Sequence, residues 1–319
     1  MKIAPLSLLA AVLSLGLAAA PAEAQIARTF VSAATGNDAN DCNRLTPCRT
    51  FQRAHDQTLA NGEITVLDPG GYGSVAINKT ISIINDGVGE AGMLISGGVT
   101  GVSFVGGAND TVSLRGLTIK GIGFGSGNGI NFISGKFMTI ENCAIRNLAA
   151  SLSNGTAILF NPGGQSIANQ LSLSNTVIAD SNVGIFVAPT GTGVVKVSLF
   201  GVELYDNTDG LVVNTGGVSV RVSALNSVVD GSALFGVSVF GSPGPTALTS
   251  ITFAASLLTN NDTALAVSGS GASLRIGRSL VAGNFLAWQA SDGGVFQSFG
   301  DNYIVGNISQ PTPPTVARE

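Results

Sequence analysis

A chain of 319 residues with a net charge of −4, only 11% charged residues and 43 glycines carries no basic stripe. Nucleic-acid binding needs such a stripe or an aromatic stacking platform, and one Trp with three Tyr supplies neither, so no nucleic-acid partner is expected. The hydrophobic residues fall in short runs bounded by Gly and Asn, which are strand lengths with turn punctuation.

Residues 1–24 read as an export leader. Lys2 gives the positive start, Leu8 to Ala20 the small apolar run, and Ala22-Glu23-Ala24 a cleavage site before Gln25. That run is too short and too rich in alanine for a transmembrane helix, so no transmembrane segment is expected and the mature chain is placed in the periplasm, on the cell surface or in the medium. Residues 25–62 read as an N-terminal cap. Cys42 and Cys48 stand close together in a loop-like stretch, and in an oxidising compartment they are expected to form a disulfide. A zinc site there lacks further ligands other than His55. Thr50 to Ala60 places Phe51, Ala54, His55 and Leu59 on one face, a short amphipathic helix stopped by Asn61-Gly62. Early strands are expected at Ile64–Leu67, Val75–Ile77 and Ile81–Ile84.

From Val112 onward the chain repeats. Val112, Met138, Leu171, Val197, Val222, Ile251, Leu274 and Gln297 open successive units of 23 to 33 residues. Two positions in stand Leu114, Ile140, Leu173, Leu199, Ala224, Phe253, Ile276 and Phe299; seven positions in stand Ile119, Ile145, Ile178, Leu204, Val229, Leu258, Val281 and Ile304. Both columns are apolar throughout. Four positions in, Asn142, Asn175, Gly201, Asn226 and Asp301 suit a bend. Ten positions in, Ser181, Asn207, Ser232, Asn261, Asn284 and Asn307 form a second polar column. Another strand follows in each unit, as in Gly129–Phe132 and Gly184–Val187. Cys143 is expected to be a buried free thiol at a strand position.

Three short strands cannot bury their inward face alone, whereas like strands stacked about 4.8 Å apart bury a continuous column. The fold class is therefore all-β, a right-handed parallel β-helix over 63–309, with the Pro-rich tail 310–319 extended or disordered.

Thr50-Phe51-Gln52-Arg53-Ala54 and Asn61-Gly62-Glu63-Ile64-Thr65-Val66-Leu67-Asp68-Pro69-Gly70-Gly71-Tyr72 resemble the capping helix and first rung of the pectate-lyase-like β-helix superfamily. Phe30-Val31-Ser32 through Gly36-Asn37-Asp38 to Cys48-Arg49-Thr50-Phe51 is similar to the opening of bacterial exported β-helix repeat proteins. The resemblance implies the fold over nearly the whole mature chain. It does not fix an activity, because the fold hosts lyases, hydrolases, epimerases, adhesins and tail spikes. Of the four motifs of its polygalacturonase branch only Asn207-Thr208-Asp209 has a match, at a turn where such residues are expected anyway.

Chemistry in the columns is sparse. Nine positions in stand Asn147, Asp180 and Asp206, with Asp209 three residues further on, and parallel stacking sets Asp180 and Asp206 about 5 Å apart. Together with Asp209 these are the candidate metal ligands, calcium being the cation for a lyase. Lys120 and Arg146, eight positions in, are the candidate catalytic or anion-holding cations. Arg115 with Glu141, and Arg278 with Asp301, share columns as surface ion pairs. An outward column, Ser113, Thr139, Ser172, Ser198, Ser223, Thr252, Arg275 and Ser298, forms a hydroxyl ladder. The inserts Gly123–Asn128 and Ala149–Gly155 lie on adjacent units and could wall a groove. The expected function is an exported, non-catalytic protein that meets extracellular or cell-surface carbohydrate or serves as a structural surface module; the alternative is a polysaccharide lyase with a cation at the stacked aspartates.

Overall fold

The computed structural model describes residues 26–122, 127–148, 155–163, 168–191, 193–241 and 248–317. The expected leader and most of both inserts lie outside these residues. Among the described residues the chain winds through three parallel sheets of 11, 10 and 9 strands, here called sheets one, two and three in the order each turn visits them. Every strand pairs with the strand one turn before and one turn after it, as Leu171–Ser174 does with Met138–Glu141 and with Val197–Phe200. That is a right-handed parallel β-helix.

The apolar columns face inward. In sheet one, Val112, Met138, Leu171, Val197, Val222, Ile251 and Leu274 stack in register, and all are buried. Sheet two contributes Ile119, Ile145, Ile178, Leu204, Val229, Leu258 and Val281. In sheet three Phe104, Phe132 and Phe160 form an inner aromatic stack with ring centroids 5.3 and 4.5 Å apart. Small spacings of this kind add edge and offset contacts to ordinary area burial.

Two bends per turn close the triangle, and both use left-handed backbone. The first holds Gly116, Asn142, Asn175, Gly201, Asn226, Ala255 and Arg278 at positive φ; the second holds Asn147, Asp180, Asp206, Gly231, Asn260, Gly283 and Gly306. Gly, Asn and Asp tolerate this region best, which explains most of both columns. A polar ladder follows each bend. After the second, the Asn207 Oδ1 accepts from the Ser181 backbone N–H at 3.1 Å, and Asn261, Asn284 and Asn307 repeat the arrangement. After the first, Thr176, Ser227, Ser256, Ser279 and Asn302 accept from the N–H one turn earlier. The hydroxyls of this set also donate to the carbonyl two residues back, at 2.8–3.1 Å. This inner ladder was not foreseen. Cys143 belongs to its column: the residue sits in the bend before the strand Ala144–Arg146 rather than on a strand, and its Sγ lies 3.3 Å from the Glu141 carbonyl, as a serine would. It is buried and free, and burial pushes its thiol up to about 11.

Several boundaries differ from the sequence reading. The helix spans Phe51–Gln57, with Thr50 accepting from the Arg53 N–H as its cap. The chain is already a strand at Thr58–Val66, so Leu59 is exposed and is no part of a helical face. Ile26–Val31 stacks on that strand as an additional first strand, and Ala91–Ile95 and Val102–Val105 complete an early turn. Cys42 and Cys48 are bonded, with Cα atoms 4.7 Å apart, and this loop covers the outer edge of the first strand: the Phe30 N–H donates to the Cys42 carbonyl and the Cys48 N–H to the Phe30 carbonyl.

At the other end the last bend of sheet one is one residue longer. Phe296 stacks on Leu274, Gln297 on Arg275 and Ser298 on Ile276, yet Tyr303 still stacks on Leu280. Gln297 and Ser298 therefore exchange their expected roles: Gln297 closes the outward column and Ser298 is buried, while Phe299 leaves the inward column. The tail is extended and paired. Ser309 bridges to Leu286 and Thr315 to Ser298, and the Trp288 indole N–H donates to the Pro311 carbonyl at 2.9 Å. Prolines at 311, 313 and 314 lack the N–H through which another strand would pair, which blunts the open end of the stack.

Candidate functional site

Sheet two and the bend after it bring together most of the residues singled out from the sequence. Lys120 and Arg146 are direct register partners. Their outward column continues through Ala179, Tyr205, Asp230 and Thr259. The face thus runs from two cations, over a small residue and a phenol, to an acid. Arg146 is exposed and Lys120 half-buried. Among the described residues neither makes an ion pair, so two like-charged side chains rise from neighbouring strands, whose backbones are about 4.8 Å apart, with no carboxylate paired to either. Tyr205 lies beside Glu203 and Asp230; partial burial first, and then the Glu203 and Asp230 charges, hold its hydroxyl above the ordinary phenol range.

Asp180 and Asp206 follow one residue after this column on adjacent turns, both exposed. Their φ angles of 51° and 49° give a conformational reason for Asp at these positions, beside Asn147 and Asn260 in the same column. Asp209 stands apart from them, beyond the buried Asn207, at the start of the next strand. Its carboxylate accepts from the Phe235 N–H at 3.2 Å, and burial raises its pKa above the usual carboxylate value. Among the described residues no group of three or more His, Cys, Asp or Glu side chains is gathered so as to hold a metal ion.

His55 is buried in the cap, its Nδ1 3.0 Å from Asp56, and burial lowers its pKa; it is far along the chain from the Lys120–Asp230 face. Arg115 reaches Asp86 at 3.4 Å and Glu141 at 4.0 Å, the surface pairing expected of its column. Arg278 and Asp301 meet differently: the backbone N–H of Arg278, not its guanidinium, donates to the carboxylate. The hydroxyl ladder is in register from Ser113 to Thr252 and ends in Arg275 and Gln297.

Beside the end of that ladder lies a cleft the sequence did not announce, with a volume of about 650 Å³ between the outer face of sheet one and the tail. Thr252, Ala254, Arg275, Gly277, Phe299 and Val316 are among its walls. The available signal was the break in the hydroxyl column at Arg275.

A family described as "Right handed beta helix region" matches residues 100–286. The chain belongs to this family. No curated protein matches the sequence. Among solved structures, pectate lyase Pel9A is similar to this right-handed β-helix protein with a TM-score of 0.60 and 15% identity, covering 86% of this chain and 74% of that one. The GH136 lacto-N-biosidase from Eubacterium ramulus gives 0.49 at 13% identity, covering 92% of this chain and 67% of that one. At 15% identity the likeness to Pel9A is one of fold. Among the described residues no helix is long and apolar enough to cross a membrane. The disulfide and the β-helix fold are features suited to an extracellular protein.

Proposed function

We propose that this right-handed β-helix protein is exported and binds anionic carbohydrate without cleaving it, holding the polymer on the outer face of sheet two at Lys120 and Arg146. The observation that carries this reading is the in-register stack of two cations with no carboxylate partner among the described residues. Like charges one rung apart repel, and a polymer carrying one carboxylate per unit relieves that repulsion while gaining charge-assisted hydrogen bonds. Cleavage would require a second ionisable group aimed at the reacting bond. Asp180 and Asp206 instead occupy an exposed left-handed bend, and Asp209 is turned to the Phe235 backbone.

Isothermal titration of the mature protein with polygalacturonate and with dextran tests the reading. Binding is expected for the acidic polymer only and should weaken steeply with salt. The Lys120→Gln/Arg146→Gln double variant is expected to lose about tenfold or more in affinity, since each charge-assisted contact contributes about 1.5–3 kcal/mol. Unchanged affinity in that variant would overturn the proposal.

A further inference from the structure

The cleft at the C-terminal end of sheet one carries a second inference, which shares with the proposed function only the chemical class of its ligand. We infer that it is a binding site for a single acidic sugar unit, with the Arg275 guanidinium receiving the carboxylate and the Phe299 ring beside the sugar.

Arg275 is positioned before any ligand arrives. Its Nε donates to the Gln297 Oε1 at 2.9 Å and its Nη1 to the Ser250 Oγ at 3.3 Å. Both partners are neutral, so the guanidinium is oriented while its charge stays uncompensated, and its remaining N–H groups are available for a carboxylate. Seven successive positions of the same column, from Ser82 through Thr252, are Ser or Thr; Arg275 follows them at the rung where the cleft begins, whereas the cation at the column's other end, Arg28, is paired with Glu63.

Arg278 supplies the second cation from an unfavourable backbone. It holds φ 51° in the bend column where five of the preceding turns place Gly or Asn. A long β-substituted side chain is a poor choice for left-handed backbone, and such departures gather at functional sites. The Arg278 N–H is fixed by the Asp301 carboxylate, which also lines the cleft, so its walls carry two cations and one anion and keep a net positive charge.

The apolar wall has its own explanation in the sequence. The longer last bend swings Phe299 outward, where it lines the cleft rather than the core. Gly277 makes room for it: a Cβ at Gly277 would stand 2.9 Å from the Phe299 Cδ2. Ala254 keeps the adjacent rung low, and Val316 of the tail closes the far side. A volume of about 650 Å³ is within the range of about 300–1,000 Å³ usual for small-ligand sites, and an apolar wall with a few fixed polar groups is their usual composition.

Titrating the isotope-labelled mature protein with trigalacturonate and with maltotriose, and following backbone amide shifts, tests the site. The amides of Gly277 and Phe299 are expected to shift saturably with the acidic trimer and not with the neutral one. Arg275→Gln is expected to raise the dissociation constant read at those amides by about tenfold or more, through loss of a charge-assisted pair. Gly277→Val, which displaces Phe299, is expected to abolish the shifts while leaving the amides of sheets two and three unmoved. Silent cleft amides, equal response to maltotriose, or an Arg275→Gln titration matching the parent would each overturn the site. If the cleft is silent while polygalacturonate still binds through Lys120 and Arg146, only this inference falls; if neither ligand binds anywhere, both do.

Discussion

Asn284→Ala is expected to cost about 3–5 kcal/mol of stability, read from the midpoint of urea unfolding. Asn284 is fully buried in the ladder after the second bend. Its Oδ1 accepts from the Asn261 backbone N–H at 2.9 Å and from the Asn261 side chain at 3.0 Å, while its Nδ2 donates to the Leu258 carbonyl at 3.0 Å and to the Asn307 Oδ1 at 2.8 Å. Alanine leaves the buried Asn261 N–H without its acceptor, at about 1–3 kcal/mol, and also removes the side-chain bonds to the Leu258 carbonyl, the Asn261 amide and the Asn307 Oδ1. Because each turn of a solenoid is supported by its neighbours, the loss falls on the adjoining turns as well. Asn307→Ala is the internal control. Asn307 is only half-buried and no Asn stands beyond it in the column, so its replacement is expected to cost less than half as much. Equal midpoints for Asn284→Ala and the parent would show that the ladder contributes nothing.

The second large effect is expected in the aromatic stack. Phe132 is fully buried between Phe104 and Phe160, its ring 5.3 and 4.5 Å from theirs. Phe132→Ala removes contacts in both directions along the column and leaves a cavity that the parallel strands cannot close without losing register, so a loss of about 3–5 kcal/mol is expected. Phe132→Leu keeps most of the volume and is expected to cost less than half of that. Denaturant midpoints check both. A Phe132→Ala midpoint equal to that of Phe132→Leu would mean that the stack relaxes around the missing ring.

The inward columns of sheets one and two were legible because parallel stacking repeats the same position on every turn, so a buried site reads as an unbroken apolar column. Position seven, from Ile119 to Ile304, matches the observed register throughout. The first bend misled for a local reason. Its visible marker is the left-handed residue, such as Asn175 or Asn226, and the ladder member is the next residue, whose Thr, Ser or Cys looks like ordinary turn composition. The misplacement at Gln297 has the same origin: one added residue in a bend shifts the face of everything before it, and nothing in an isolated unit marks the addition. The early strand Ala91–Ile95 escaped because Gly92 and flanking glycines conceal its alternation.

The candidate site was legible only in part. Lys120 and Arg146 were placed together correctly because they share a column. The cleft was not, because it depends on two features that no column records: the outward turn of Phe299 and the return of the tail over Ser298. Asp180 and Asp206 share a column as well, but the left-handed bend gives their identity a conformational reason that spacing alone does not reveal.

Binding without turnover is the centre of the functional proposal, and one assay addresses it directly. The mature protein is incubated with polygalacturonate, with and without calcium, while polymer length and unsaturated-end absorbance are followed alongside co-sedimentation. The expected result is co-sedimentation that weakens with salt, unchanged polymer length and no new absorbance. Shortened polymer or unsaturated ends, abolished by Asp180→Ala, would contradict it.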